Sequence, residues 1–257
     1  MTGPCYLEIM IAGTVWSILP WIVFLAPQQS DAAGPLVWTE SSLSRIWQTG
    51  PVGDSSQIEL WAAKDETYSF QIGVQAPTGG LTGVNATTSG LTGPDSHVIA
   101  GSDIALFREQ YIYVPSSPPY YWNGTRDGTN PPGPPGWYPD GLIPFVDPET
   151  GQPAQRGVLN AVPFDVGEGT NQPIWVDVHV PVDSAAGSYN GVFTITSDQG
   201  QSSIQVTLHV WNFALPKAPS FKSAYQANPS HQDTYMTHEL LRNRVSPEWV
   251  DLPDERT

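Results

Sequence analysis

The sequence predicts an all-β fold, a sandwich of two antiparallel sheets with a long Pro- and aromatic-rich loop, followed by a short α-containing fragment of a second domain. Short apolar runs alternate with polar residues at the period of a strand with one buried face, as in Ile204–Val210. The 24 glycines and 26 prolines separate these runs without forming a repeat. With 39% hydrophobic residues, the chain can bury a core.

The first part of the predicted sandwich contains several strands joined by turns. After a lead-in at 36–47, Tyr68–Ala76 alternates most clearly, with Phe70 and Ile72 on the buried side and Gln71 on the side facing water. The turn residues between the runs are typical of a sandwich. The predicted strands are Ile58–Ala63, Tyr68–Ala76, Gly83–Thr88, Ile104–Val114 and Ile174–Val180.

A β-hairpin is predicted at the end of the sandwich. Val192–Thr196 and Ile204–Trp211 are β-rich, and the polar, Gly-containing Ser197–Ser202 provides the turn between them. Pro216 and Pro219 then end the sheet, because proline has no N–H for a strand ladder. The domain boundaries predicted from this pattern are 34–215 for the sandwich and 216–257 for a linker and the start of a second domain.

The region from Pro115 to Pro173 is predicted to be a long loop rich in Pro, Gly and aromatic residues. Its aromatic side chains have two interpretations. The favoured one is that they pin the loop onto the sheet or onto a neighbouring domain, because each buries a large area. The alternative is contact with the rings of a glycan ligand. The candidate residues for glycan contact are Tyr120, Tyr121, Trp122, Trp137, Tyr138 and Asp140.

The N-terminal 33 residues are interpreted as a signal peptide or an N-terminal anchor. Ile9–Ala26 is the only long apolar stretch, and small residues at Ala32 and Ala33 fit a cleavage site, so a cleaved signal is favoured. Pro20 weakens the alternative of a membrane-spanning anchor. Both interpretations predict a secreted or cell-surface protein, which would contact a membrane only through this segment and only if the segment is not cleaved.

Charge and residue spacing argue against several classes of function. The formal net charge of −15 would repel a nucleic-acid backbone, so nucleic acid is not an expected partner. The five histidines have no i, i+4 pair, so no metal site is predicted. No Gly-rich phosphate loop or nucleophile elbow is present, and no cofactor is expected. Cys5 is the single cysteine, so the mature chain is expected to lack disulfides.

Five stretches in this order carry a resemblance to a known family. They are ELWAAKDETYSFQIGVQAP (Glu59–Pro77), ALFREQYIYV (Ala105–Val114), GWYPDGLIPF (Gly136–Phe145), AVPFDVGEGTNQPIWVDVHVP (Ala161–Pro181) and the region from Gly187 to Tyr225. Together they resemble the N-terminal β-sandwich of glycoside hydrolase family 123-like proteins. The resemblance implies a following (β/α)8 barrel, with Phe221–Gln226 as its first strand and 240–247 near its first helix.

The resemblance also implies that catalysis belongs to the barrel and not to the sandwich. Characterised relatives are similar to exo-acting β-N-acetylgalactosaminidases, in which the substrate's acetamido group attacks and an Asp-Glu pair of the barrel assists. That pair is expected beyond this chain, so no catalytic residue is assigned, and Asp254-Glu255 is interpreted as a solvated tail. The expected function is a non-catalytic accessory domain of an exported protein that hydrolyses terminal N-acetyl-β-hexosaminides. The alternative is a stand-alone carbohydrate-binding or structural cell-surface module.

A helix is the last predicted element. Thr234–Arg244 is compatible with an amphipathic helix whose apolar stripe contains Met236, Leu240 and Leu241. A single helix cannot bury such a stripe alone, so it indicates a second domain, a partner chain or a truncated sequence. The second domain is an expected partner of the sandwich.

Overall fold

The computed structural model describes residues 33–115, 134–147, 151–153, 160–218, 223, 225, 237 and 240–246. The chain divides into two compact units, Met1–Asp31 and Ala32–Thr257, and the description below concerns the second. Ile9–Ala26 and most of the predicted C-terminal helix lie outside the described residues, as does most of the strand predicted at 221–226. Within the described part, no helix is long and apolar enough to cross a membrane.

In the described part of the chain, twelve strands form two sheets, which confirms the predicted all-β sandwich. In chain order the strands are β1 (Leu36–Ser41), β2 (Gln57–Lys64), β3 (Thr67–Gln75), β4 (Leu81–Thr88), β5 (Gly90–Thr92), β6 (Val98–Ala100), β7 (Ile104–Val114), β8 (Gly136–Pro144), β9 (Phe164–Val166), β10 (Asn171–His179), β11 (Gly187–Ser197) and β12 (Gly200–Ala214).

The two sheets differ in pairing direction. The first sheet has the order β1-β3-β10-β7-β8 and is antiparallel throughout. The second has the order β2-β12-β11-β4-β9, with β5 and β6 attached beside β11. In this sheet β2 pairs with β12 in parallel, so it is mixed. β11 and β12 form the predicted hairpin, and their ladder extends into the expected turn as far as the pair Ser197 and Gly200.

The core lies between the sheets and follows the period-two pattern of the sequence. Phe70 and Ile72 of β3 are fully buried, as predicted, and so are Ile174 and Val176 of β10. The ring of Phe70 meets that of Phe193 from β11 edge to face, with 5.7 Å between centroids. Because Phe70 belongs to the first sheet and Phe193 to the second, this contact joins the two sheets. Burial of apolar side chains of this kind is the main favourable contribution to folding.

The other face of the first sheet is partly covered, contrary to the expectation that it faces water. Gln71 is only 1% exposed, and its Nε2 donates hydrogen bonds to the carbonyl oxygens of Ser41 and Ser44 at 2.7 and 2.8 Å. Asn171 Nδ2 likewise donates to the carbonyl of Trp47 at 2.8 Å. Residues 42–53, the covering segment, therefore lie across this outer face.

The covering segment is also positioned by the indole of Trp38, which is 2% exposed. This ring occupies the space where a side chain at Gly53 or Gly73 would begin. One glycine belongs to the covering segment and the other to β3, so both must lack a side chain for the ring to lie between them. Close packing of this kind leaves little space for additional atoms.

The predicted long loop is partly wrong, because β8, β9 and the first three residues of β10 lie within it. Gly136–Pro144 forms β8 at the edge of the first sheet, where a strand can contain prolines because one side of its backbone needs no partner. The register skips Asp140, since Gln110 pairs with Gly141 and Tyr111 with Pro139. This local bulge is the physical reason why period-two alternation did not reveal the strand.

We expect Gly73→Ala to lower the free energy of unfolding by about 1–3 kcal/mol, because the added methyl group overlaps the Trp38 ring. Gly136→Ala is the matched control, since its Cβ would find its nearest neighbour only at 4.0 Å. Urea unfolding of both variants measures the difference. Equal stability of the two variants would contradict the packing of Trp38 on β3.

Candidate binding pocket

A polar pocket opens on the outer face of the first sheet, beneath the covering segment. Its volume is about 310 Å³. Four strands and the covering segment contribute to its wall, so it depends on the assembled sheet and not on one local motif. The lining residues are Ser42, Leu43, Ser44 and Arg45 from the covering segment, Gln71 from β3, Glu109 from β7, Pro139 from β8 and Trp175 from β10.

Glu109 is the carboxyl group of this pocket and is only 5% exposed. Its Oε1 is buried and has no hydrogen-bond partner among the described residues. Burial raises its pKa from 4.5 to about 7, and the positive charge of Arg45 partly offsets that rise. Glu109 is therefore protonated in a large fraction of molecules near neutral pH, when its carboxyl group can donate a hydrogen bond.

Two aromatic rings hold the guanidinium group of Arg45. Its central carbon lies 5.6 Å from the ring centroid of Trp47 and 5.1 Å from that of Tyr138. The two rings themselves meet edge to face at 5.1 Å. Cation–π attraction of this kind orients the cation without neutralising it. Within the described ranges, no carboxylate forms a salt bridge with Arg45.

The indole of Trp175 is fixed by a carboxylate on the same strand. Its Nε1 donates to Asp177 Oδ1 at 2.6 Å, and Ser69 Oγ of β3 donates to the same oxygen at 2.6 Å. Asp177 thus has a structural role, because its carboxylate holds both Trp175 and Ser69. With its N–H engaged, Trp175 offers the pocket mainly an aromatic surface.

The structure separates the residues predicted to contact a glycan. Tyr138 contacts Arg45 at the pocket, and its hydroxyl donates to the carbonyl of Pro134 at 2.6 Å. Trp137 is 46% exposed and lies beside Tyr113, with 5.2 Å between ring centroids. Asp140 is exposed at the bulge. Tyr120, Tyr121 and Trp122 lie outside the described residues, so the six are not shown as one site.

Sequence reasoning did not identify Glu109 and Arg45. A signal for Glu109 was present, because Arg108, Glu109 and Gln110 interrupt the otherwise apolar and aromatic run of β7. The alternation places Glu109 on the side away from the core, where a charged residue is unremarkable. Only the position of the covering segment shows that this side is buried, and a segment without periodicity gives no sequence signal of where it packs.

A comparison with protein families matches residues 48–197 to the glycoside hydrolase 123 N-terminal domain. The chain belongs to this family. Its structure resembles a family 123 glycoside hydrolase from Clostridium perfringens, studied for glycolipid glycan hydrolysis, with a TM-score of 0.56 at 12% identity. That likeness covers 76% of this chain and 30% of the Clostridium chain, and it supports the shared fold. No curated protein matches the sequence.

Two further solved structures are more distant. The GspB Siglec domain has a TM-score of 0.30 at 12% identity, over 83% of this chain and 75% of that one. An endo-fucoidan hydrolase of glycoside hydrolase family 107 has a TM-score of 0.25 at 11% identity, over 61% of this chain and 13% of its own. These scores are too low to indicate a common fold with the glycoside hydrolase 123 N-terminal domain.

Because burial raises the pKa of Glu109, the stability of the folded domain depends on pH. The folded-state pKa of about 7 exceeds the ordinary 4.5, so the protonated group contributes stability below pH 4.5, and this contribution is lost as pH rises to 7. For Glu109→Gln, we expect the unfolding free energy relative to wild type to increase by on the order of 3 kcal/mol between pH 4 and 8.

Urea unfolding across that pH range tests this expectation. Glu59→Gln on β2 is the matched control, because it removes an exposed carboxyl group. A difference for Glu109→Gln that does not change with pH, or that changes no more than the control, would show that Glu109 is not held in its protonated form.

Proposed function

We propose that this glycoside hydrolase 123 N-terminal domain is a non-catalytic accessory sandwich of an exported protein. In this proposal, the hydrolysis of terminal N-acetyl-β-hexosaminides, N-acetylgalactosaminides in particular, belongs to a separate barrel domain. Export is proposed from Ile9–Ala26 and the small residues that follow it. The family match carries the assignment to an accessory domain.

The chemistry of the pocket supports the non-catalytic role. Glycoside hydrolysis ordinarily needs two carboxyl groups on either side of the scissile bond, and the substrate-assisted scheme that the family resemblance implies also uses an Asp-Glu pair. Glu109 is the single carboxyl group that lines the pocket. Within the described part of the chain, it is also the single carboxyl-bearing residue that is buried. The pocket therefore lacks the pair that this chemistry requires.

Contacts after β12 support attachment to a following domain. The backbone N–H of Leu215 donates to the carbonyl of Lys64 at 2.9 Å. Arg244 forms a salt bridge with Asp65 at 3.1 Å, and its Nε donates to the carbonyl of Pro216 at 3.2 Å. The described residues that follow the sandwich are thus held at the turn between β2 and β3. A domain continuing from there would have a defined starting point on the sandwich.

We expect the purified 257-residue chain to release no aryl alcohol from an aryl N-acetyl-β-galactosaminide or the corresponding glucosaminide. The reason is that Glu109 is the single carboxyl group among the described residues that line the pocket. An active β-N-acetylhexosaminidase serves as positive control, and the chain unfolded in urea as the blank. Hydrolysis above the blank that disappears with Glu109→Gln would contradict the non-catalytic role.

The genetic context tests the accessory role separately. Sequencing the source locus downstream of the Thr257 codon should show an in-frame continuation that encodes alternating strands and helices with an Asp-Glu pair. An immediate stop codon would contradict this expectation and favour the stand-alone module.

Glycan binding is the second candidate function, and one observation favours it. The rings of Trp137 and Tyr113 lie side by side at the edge of the first sheet, and each is about half exposed. Exposed aromatic faces can stack on the apolar faces of sugar rings, and this contact would remove the aromatic faces from water. The same pair could instead pack against a neighbouring domain.

If these rings bind glycan, Trp137→Ala should weaken binding to an immobilised polysaccharide by about tenfold, the loss expected when one stacking contact of about 1–2 kcal/mol is removed. Trp61→Ala is the matched control, because Trp61 is also 46% exposed but stacks on His209 in the other sheet. Affinity gel electrophoresis compares the three proteins. No binding by wild type, or equal binding by all three, counts against the glycan-binding function.

A further inference from the structure

We propose that the pocket between Arg45 and Glu109 binds the carboxylate group of a small organic acid, such as a sugar acid. This site is separate from the exposed Trp137 and Tyr113 pair, and it does not depend on whether a catalytic barrel follows. The ligand is identified here by the chemistry of the pocket alone. Its carboxylate would lie between the guanidinium group and the buried carboxyl group.

Arg45 provides the charge that selects an anion. A guanidinium group is planar and presents paired N–H donors that match the two oxygens of a carboxylate. Trp47 and Tyr138 hold the group at the pocket through ring contacts, which leave those donors available. No described carboxylate forms a salt bridge with it, as noted above. Because the guanidinium group is already held in place, it loses little conformational entropy when an anion binds.

Glu109 provides the complementary donor. Its buried Oε1 lacks a partner in the described part of the chain, and an unpaired buried polar atom is costly. Because burial raises the pKa of this group to about 7, its protonated form is available to donate to a carboxylate instead of repelling it. A ligand carboxylate in the pocket would therefore accept a hydrogen bond from a carboxyl group whose buried Oε1 has no partner among the described residues.

The surroundings of Glu109 contain few other charges. Arg45 comes from the covering segment, and Leu142 of β8 pairs with Glu109 across the strands. On its own strand, Tyr111 stays a neutral phenol, because burial and Glu109 raise its pKa. Asp177 of β10 is engaged by Ser69 and Trp175. With Glu109 protonated, the lining of the pocket carries one positive charge, that of Arg45.

The walls of the pocket favour a compact, ring-sized acid. The aromatic surface of Trp175 and the ring of Pro139 offer apolar contact, while the Nε2 donor of Gln71 is already used by two carbonyls. A volume of about 310 Å³ accommodates one small ring with its substituents. The net charge of −15 repels anions at long range, so we expect modest affinity that improves with added salt.

An NMR titration of the 257-residue chain tests the proposal, with glucuronate as the probe and glucose as its uncharged counterpart. The Trp175 Nε1–H resonance reports on the pocket wall. At pH 6, glucuronate should bind at least about tenfold more tightly than glucose, because only glucuronate pairs with Arg45. From pH 6 to 8 its affinity should fall about tenfold, because ionised Glu109 repels the ligand.

Substitutions test the contributions of Arg45 and Glu109 to binding separately. Arg45→Gln should weaken glucuronate binding by at least about tenfold. Lys217→Gln, which removes an exposed cation elsewhere, should leave binding unchanged. Glu109→Gln keeps a donor in place of the protonated carboxyl group, so its affinity should not change between pH 6 and 8. Thermal unfolding verifies that each variant is folded. If Arg45→Gln does not fold, the pH dependence of glucuronate binding by Glu109→Gln still tests the proposal.

Three outcomes would overturn the proposal. The first is equal affinity for glucose and glucuronate, which would indicate a site for neutral sugars. The second is an equal effect of Arg45→Gln and Lys217→Gln, which would indicate general charge repulsion. The third is a wild-type affinity for glucuronate that does not change with pH. None of them bears on the hydrolysis assay, so this proposal and the accessory role can fail independently.

Discussion

The structure of the pocket depends on how the covering segment satisfies its backbone on the outer face of the first sheet. A segment laid across a sheet must find partners for its carbonyl groups, since buried polar groups without partners are costly. The amides of Gln71 and Asn171 provide these partners, and the Trp38 ring packs between Gly53 of the segment and Gly73 of β3. This attachment removes Glu109 from water and places Arg45 near it.

The sequence predicted those strands in which alternating apolar residues show which side is buried. β7 was predicted with the observed bounds, and the core side of β3 was predicted correctly, because alternating apolar residues identify the side that faces the other sheet. The same pattern does not report what covers the opposite side. Gln71 was therefore expected to face water, and Glu109 was not identified.

β8 shows the other limit of sequence reasoning. Its prolines and glycines are typical of loops, and the bulge at Asp140 breaks the alternation that would indicate a strand. Pairing with β7 determines its structure, and that pairing is a long-range interaction that local sequence does not encode. The family resemblance, by contrast, rested on the order of several stretches, and the match to residues 48–197 confirmed it.

The parallel pairing of β2 with β12 has a consequence for biosynthesis. These strands lie near opposite ends of the sandwich in sequence, so β2 cannot find its neighbour in the sheet until β12 has left the ribosome. During synthesis, β2 would remain an unpaired strand with apolar residues on one side. Such strands are prone to associate with other chains. The pairing of β2 with β12 therefore comes late in synthesis, and it places β2 instead of β12 at the edge of the second sheet.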